Sequence, residues 1–438
     1  MPKEPAPRED QTKARRLLPA PFCVLAVILV LSFPFVSHAD EVRLQDLVSE
    51  ALQKSPEILA SEAQAKAAGY RVPQAGSLPD PMVMFGYQNE GWDRYTYGKE
   101  PDAQWMFSAS QMFPFPGKRS LKEEMARQDA EGTAILHESV KLKTIARVRE
   151  LYYDLFLAYK TIDLLKERTA LFSRIEDAAL ARYSSGTGMQ QEVLMAQTEK
   201  YMLIEREEMQ KQKIQSLEAM LNSTVGRDVN APLGRPAELA LSLQVKGLDE
   251  LLNRAYDHSP DIRIRQRMVA AAEAKVKMAE KEYYPDFTVA GSYFTRGGGQ
   301  FMDMWSLTTT VNVPLYYRSK QRQAVLESEA VLAGAKRELE AARLMVASSI
   351  RDAYSMYATS ERLMDLYKNG LMPRAYQDFE SALAGYTTGR TEALTVINRL
   401  KALIDFETLY WVQVAEHGKA SARFEAMTGT VEAGGTAQ

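Results

Sequence analysis

Side chains that commonly carry chemistry are sparse in this sequence. The histidines beyond residue 39 are His137, His258 and His417, and none has a second histidine at metal-ligand spacing. The single cysteine, Cys23, lies near the N-terminus, so we predict neither a disulfide nor a thiolate metal site in the rest of the chain. No nucleophile, base and orienting group form a recognisable set. The pattern argues against an enzyme, and we expect no cofactor.

Two pairs of methionines are the other candidates for chemistry. Met82 lies close to Met84, and Met302 lies close to Met304. Thioethers suit soft ions such as Cu(I), but methionine is also a flexible filler of packed surfaces. We interpret both pairs as packing residues and predict no metal site.

The N-terminus has the pattern of an export signal. Basic residues precede an apolar stretch from Leu17 to Val36, and Ser37-His38-Ala39 supplies the small residues of a cleavage site. This predicts a secretory signal peptide over 1–39. Prolines within the stretch disfavour the alternative, a membrane anchor. The context of Cys23 is poor for lipidation, so we expect an unacylated mature chain beginning at Asp40.

Composition and charge exclude further classes. The formal net charge is −3, with 25% charged and 46% hydrophobic residues, which argues against a nucleic acid partner. No stretch beyond the signal approaches the about 18 uninterrupted apolar residues of a membrane-spanning helix. Any contact with outer-membrane lipid must therefore come from strands.

The clearest strand signal lies at 286–315. Apolar and polar residues alternate from Phe287 to Tyr293 and again from Trp305 to Val313, around a glycine-rich turn. Period-two alternation in both arms predicts a β-hairpin with one apolar face. Two strands alone are marginally stable in water, so this hairpin needs a partner for that face.

A second hairpin, predicted at 80–114, shows that the chain is an internal repeat. Pro79-Asp80 matches Pro285-Asp286, and the matches extend into the flanking segments. We predict two tandem copies, each a helix, a hairpin, a long helix, a turn and a helix. The predicted segments are the first copy at 40–228, a linker in the equatorial region at 229–247, the second copy at 248–428 and a disordered tail at 429–438.

Long helices are predicted to follow each hairpin, at about 119–183 and 319–384. Apolar or small residues recur every seven positions along both. A seven-residue repeat predicts a left-handed supercoil, with a kink or restart near Pro373. The recurring residues are Leu151, Ala158, Leu165, Phe172 and Ala179 in the first helix, and Val325, Leu332, Leu339, Val346 and Ala353 in the second.

The hairpin arms have the length of membrane strands. Each predicted arm has about 9–11 residues, as a tilted transmembrane strand requires, and aromatic residues fall near the strand ends, as in a barrel's aromatic girdle. Open sheet edges are not tolerated in lipid, so four strands must join others; three chains give twelve. The alternative, a water-soluble sheet, would find little to pack on beside helices of this length. The girdle candidates are Tyr87, Trp105, Tyr293 and Trp305.

The sequence resembles the TolC family of outer-membrane efflux proteins over nearly all of 41–428. The resemblance rests on the tandem repeat, the Pro-Asp strand openings, Arg182-Tyr183-x-x-Gly186 and Gly385-Tyr386-x-x-Gly389. It implies a mainly α fold with a membrane β-barrel portion: an α-barrel of long coiled-coil helices and a twelve-stranded barrel shared by a trimer. The segment from Phe113 to Arg119 is similar to the heavy-metal efflux branch.

The same resemblance implies a function and partners. A homotrimer would serve as the passive exit duct of a tripartite efflux system for metal ions or drugs. Its partners would be a periplasmic adaptor, an inner-membrane pump of the resistance-nodulation-division type and outer-membrane lipid, with the helical tunnel in the periplasm. An outer-membrane component of type I protein secretion remains an alternative. A periplasmic coiled-coil adaptor is a weaker one, because hairpins between long helices in both halves favour a duct.

The resemblance also implies a periplasmic gate just after the two tip turns, which carry Tyr183, Gly186 and Gly389. Glu192 and Tyr386 fall on the positions of a linking pair. A basic partner position falls on Thr391, with Arg390 adjacent. Two entrance positions that are acidic in relatives fall on Thr395 and Asn398, so we do not expect the cation selectivity that a carboxylate ring would give.

Overall fold

The computed structural model describes residues 41–238, 247–297 and 299–429. The predicted signal peptide, residues 239–246 of the predicted linker and the predicted tail beyond 429 lie outside this part of the chain. In chain order the described elements are α1 (Leu44–Lys54), α2 (Pro56–Gly76), β1 (Met82–Gln88), β2 (Gln104–Phe113), α3 (Lys118–Ser184), α4 (Gln190–Val225), α5 (Leu248–His258), α6 (Pro260–Lys281), β3 (Asp286–Thr295), β4 (Met304–Asn312), α7 (Gln321–Asp365), α8 (Met372–Thr387) and α9 (Ala393–Thr428).

The same order of elements occurs twice, and local sequence explains several of the boundaries. A serine separates α1 from Pro56, and a serine likewise separates α5 from Pro260. Proline has no N–H to donate into the preceding helix and fits the first position of a new one. Each copy therefore begins with a short helix, a break and a second helix that leads to the hairpin.

The second long helix, predicted over 319–384 with a kink or restart near Pro373, is interrupted just before that proline. α7 ends at Asp365, a π-helical turn covers Leu366–Leu371, and α8 begins at Met372. Pro373 lies in the first turn of α8, where its missing N–H and bulky ring disturb the regular hydrogen bonds just before it. The helix then passes its predicted end and stops at Thr387.

The seven-residue pattern packs differently in the two copies. In α3 the whole series is buried within the chain, including Leu151 and Phe172. In α7 only Val346 and Ala353 are buried, and the earlier members of the series are half-buried. α7 therefore leaves part of its apolar stripe uncovered. In the described part of the chain, no helix combines the length and apolar character needed to span a membrane.

The strands form one antiparallel sheet in the order β1-β2-β3-β4. β1 has seven residues and is shorter than the predicted arm, whereas β2 and β3 have ten each. Tyr87 pairs with Trp105, and Tyr293 pairs with both Phe107 and Trp305. Because side chains alternate between faces, these aromatic residues share one face of the sheet.

Candidate functional site

The turns between α3 and α4 and between α8 and α9 are built alike. Gly186 has φ +74° and Gly389 has φ +75°, a left-handed conformation that favours glycine. Their amides donate hydrogen bonds of 3.0 Å to the carbonyl oxygens of Tyr183 and Tyr386 respectively. Glycine at the fifth position of each tip motif is thus explained by the backbone that the turn requires.

A second pair of glycines explains how the two turns differ. At Gly188 an added Cβ would lie 2.8 Å from Cβ of Arg182, and at Gly385 it would collide with Oγ1 of Thr391. In the repeat, Gly385 takes the place of Arg182 and Thr391 takes the place of Gly188. Each turn has room for only one side chain at this contact. The first turn has Arg182 opposite a glycine, and the second has a glycine opposite Thr391.

Tyr386 is fully buried among apolar residues of α3, α4, α8 and α9. Its hydroxyl donates a 2.9 Å hydrogen bond to Oε2 of Glu192, in the first turn of α4. Burial, followed by the bond to Glu192, raises the pKa of Tyr386 to about 12. The phenol therefore stays protonated near neutral pH and can donate this bond.

Arg182 completes the cluster, which we call the latch: Arg182, Glu192 and Tyr386. Its Nη1 donates a 2.5 Å hydrogen bond to the carbonyl oxygen of Tyr386, and its guanidinium lies 4.7 Å from the centroid of the Tyr386 ring. A cation over an aromatic face adds attraction to the hydrogen bond. From the sequence, Arg182 was part of a tip motif with no predicted role. The glycine at the equivalent position of the second copy, Gly385, was the one sign that Arg182 has a role of its own.

The other predicted gate residues lie outside the latch. Arg390 is exposed just after Gly389, Thr395 is half-buried and Asn398 is exposed, both near the start of α9. Tyr183 has 47% of its surface exposed, unlike its buried counterpart Tyr386. The structure thus brings together Glu192 and Tyr386 and adds Arg182 to them.

Ion pairs join the helices behind the latch. Arg168 of α3 donates two hydrogen bonds to Glu407 of α9, at 2.8 and 2.5 Å, and both side chains are largely buried. Lys200 of α4 lies 3.1 Å from Glu176 of α3. The planar guanidinium matches a carboxylate with two parallel bonds, which fixes the relative position of α3 and α9.

The predicted girdle residues gather at the loop end of the sheet. The Tyr87 ring lies 4.8 Å from that of Trp105, and Tyr293 is paired with Trp305. At the opposite end of the same face, the Phe113 ring stacks on another phenylalanine at 5.5 Å. Aromatic side chains therefore mark both ends of the apolar face.

The methionine pairs are not packing residues within this chain, contrary to the prediction. Met82, Met84, Met302 and Met304 are all exposed. The three on strands, Met82, Met84 and Met304, lie on the face opposite Tyr87, Trp105 and Trp305. Among the described residues, no group of three or more His, Cys, Asp or Glu side chains is placed to hold a metal ion.

Comparison with known proteins defines the class. The fold and the family match are those of passive outer-membrane channels rather than enzymes. The chain belongs to the outer membrane efflux protein family, whose model matches residues 47–227 and 251–403.

Individual relatives are distant. The chain is 22% identical over 364 residues to the nickel-cobalt-cadmium resistance protein NccC of Alcaligenes xylosoxydans xylosoxydans, covering 81% of this chain and 78% of the relative. It is 27% identical over 314 residues to the solvent efflux pump outer membrane protein SrpC of Pseudomonas putida, covering 65% and 60%. The crystal structure of the outer membrane protein VceC from Vibrio cholerae superposes with TM-score 0.75 at 17% identity, covering 88% of this chain and 96% of that one.

Proposed function

We propose that three copies of this chain form the exit duct of a tripartite efflux system. The sheets of the three copies close a barrel in the outer membrane, and the long helices form a tunnel through the periplasm. The observation that carries this proposal, beside family membership, is a four-stranded sheet with an aromatic-bordered apolar face. In the described part of the chain, β1 and β4 each have a neighbouring strand on only one side. Lipid does not tolerate such edges unpaired.

A passive duct neither supplies energy nor selects its substrate, so it needs partners that do. An inner-membrane pump of the resistance-nodulation-division type supplies the energy and selects the substrate, and a periplasmic adaptor joins that pump to the helix tips. The relatives divide between resistance to nickel, cobalt and cadmium and efflux of solvents. We infer that this duct carries small solutes of one of these two kinds, chosen by its pump.

The latch is the proposed resting closure of the tunnel. A hydrogen bond such as that from Tyr386 to Glu192 contributes about 0.5–1.5 kcal/mol, and more when one partner is charged. Three copies form several such bonds. Their summed free energy is large enough to keep the mouth closed and small enough for contacts with an adaptor to replace. Opening moves α8 and α9, with Arg390, Thr395 and Asn398, away from α3 and α4.

Two measurements test the duct itself. Native mass spectrometry of the detergent-purified protein should give three chains, each beginning at Asp40 without an acyl group. Deletion in the source bacterium should increase accumulation of either a divalent metal or toluene, and the gene supplied on a plasmid should reverse it. A monomer in detergent, or unchanged accumulation of both classes of solute, would contradict the proposal.

A further inference from the structure

The internal repeat allows the contact between neighbouring copies to be specified residue by residue. This inference rests on the proposed trimer and concerns the edge where β4 of one copy meets β1 of the next, which we call the seam. Within the chain, β2 of the first repeat already pairs with β3 of the second. The seam joins the corresponding strands, β4 of the second repeat and β1 of the first.

The two hairpins show that the repeat preserves strand register. Tyr87 pairs with Trp105 in the first hairpin, and their counterparts Tyr293 and Trp305 pair in the second. Two further pairs of the first hairpin have equivalent pairs in the second, so the correspondence extends along the strands. Val83 pairs with Ala109 where Val289 pairs with Thr309, and Phe85 pairs with Phe107 where Gly291 pairs with Leu307.

Because register is preserved in the hairpins, we propose that it is also preserved at the seam. The observed pairing of β2 with β3 then gives the pairing of β4 with β1 of a second copy. Ser110 lies opposite Ala290 within the chain, so its counterpart Thr310 lies opposite Met84 of the next copy. Applied to the other pairs of β2 and β3, the rule places Leu307 opposite Tyr87, Thr309 opposite Phe85, Val311 opposite Val83 and Asn312 opposite Met82.

The chemistry of both faces agrees with this register. Leu307, Val311 and their partners Tyr87 and Val83 lie on the face that carries the aromatic residues, so the apolar surface continues across the seam. A slip of one residue would turn every apolar side chain of β1 to the opposite face. A slip of two would keep the faces, so only the repeat distinguishes the proposed register from that alternative.

The exposure of the edge strands is consistent with a missing neighbour. Val83 of β1 is 82% exposed and Trp305 of β4 is 79% exposed, and among the residues that the structure describes each of these strands has a partner on one side only. Pairing β4 with β1 is a head-to-tail contact, so copies add around a ring until it closes. The occupant of each edge is therefore another copy of this chain.

Cysteine cross-linking tests the register directly. In a Cys23→Ser background the chain has no other cysteine. Thr310→Cys with Met84→Cys should form disulfides between copies under copper phenanthroline, giving bands of two and three chains on a non-reducing gel. Within one chain these positions are three strand spacings apart, roughly 14 Å, beyond the about 7 Å limit for a disulfide.

Three control pairs make the outcome decisive. Ser110→Cys with Ala290→Cys reproduces the observed pair and should close within one chain. Thr310→Cys with Met82→Cys, and Thr310→Cys with Gly86→Cys, test slips of two residues and should stay largely monomeric on the gel. Stronger cross-linking in either slipped pair would overturn the register, as would none in the Met84 pair while the Ser110–Ala290 control closes. Native mass spectrometry separates the proposed register from the proposed trimer. Trimers that do not cross-link would contradict only the register, and monomers would contradict the trimer itself.

Discussion

At the scale of single residues, the two repeats have diverged where the latch forms. The first tip carries Arg182 and the second carries Gly385 at the same position, because each turn has room for only one side chain there. Arg182 reaches across to Tyr386, whereas the equivalent tyrosine, Tyr183, is exposed. The first tip therefore supplies the hydrogen-bond donor, Arg182, and the second tip supplies the acceptor, the carbonyl oxygen of Tyr386.

The entrance residues give a prediction of their own. Thr395 and Asn398, the two residues that the resemblance predicts at the entrance, carry no charge, so we expect hexamminecobalt(III) added on the periplasmic side to block single channels weakly. Thr395→Asp with Asn398→Asp should create a carboxylate ring in the trimer and lower the blocking concentration at least tenfold, because such rings concentrate cations. Glu392→Gln is the control: strong wild-type block that disappears in this variant would show that Glu392 already forms the ring.

At the scale of elements, one buried lysine joins α3 to the second hairpin. Lys118, the first residue of α3, is 3% exposed; its Nζ donates to Oδ1 of Asp286 at 2.9 Å and to the carbonyl oxygen of Tyr284 at 3.0 Å. The same carboxylate oxygen accepts a 2.7 Å hydrogen bond from the amide of Phe115. The start of α3 is thereby fixed to the start of β3, at the junction of helices and sheet.

Loss of this lysine should be costly. Lys118→Met leaves Asp286 without its cation, and removal of one partner of a buried pair typically costs about 3–5 kcal/mol. Denaturant unfolding of the detergent-solubilised protein, followed by tryptophan fluorescence, should show that loss. Lys211→Met, which removes a half-exposed lysine from a pair on the surface of α4, should change the free energy of unfolding by less than about 1 kcal/mol. Equal stability of the two variants would contradict the role of Lys118.

Much of the element plan could be predicted from sequence, because it rests on periodicity. Alternation from Phe287 to Tyr293 indicated a strand, and the spacing of Leu151 and Phe172 indicated a buried helical stripe. The π-helical turn at Leu366–Leu371 was missed, because Pro373 signals a disturbance but not which hydrogen bonds absorb it. Contacts between residues distant in sequence, such as Arg182 with Tyr386 or Lys118 with Asp286, depend on side-chain reach across packed helices, which no local pattern encodes.

At the scale of the whole molecule, the sheet and the long helices have separate roles in the proposed duct. In the proposed trimer, the sheet presents an apolar face to lipid and two edges to neighbouring copies, while the long helices end in turns that the latch connects. The uncovered part of the α7 stripe belongs with the sheet edges: both are surfaces that a second copy would bury. In this account, assembly completes the channel and the tips control it.

The most direct test is the single-channel conductance of the purified protein in planar bilayers. Tyr386→Phe with Glu192→Gln removes the phenol and the carboxylate of the latch. With about 1 kcal/mol per copy, three copies should shift the closed-to-open ratio by roughly a hundredfold, so conductance should rise from a small resting level. Tyr183→Phe, the same change at the exposed counterpart, should leave it unchanged. Equal conductance of the double variant and the wild type, or a rise in the Tyr183 control, would contradict a gate at the latch.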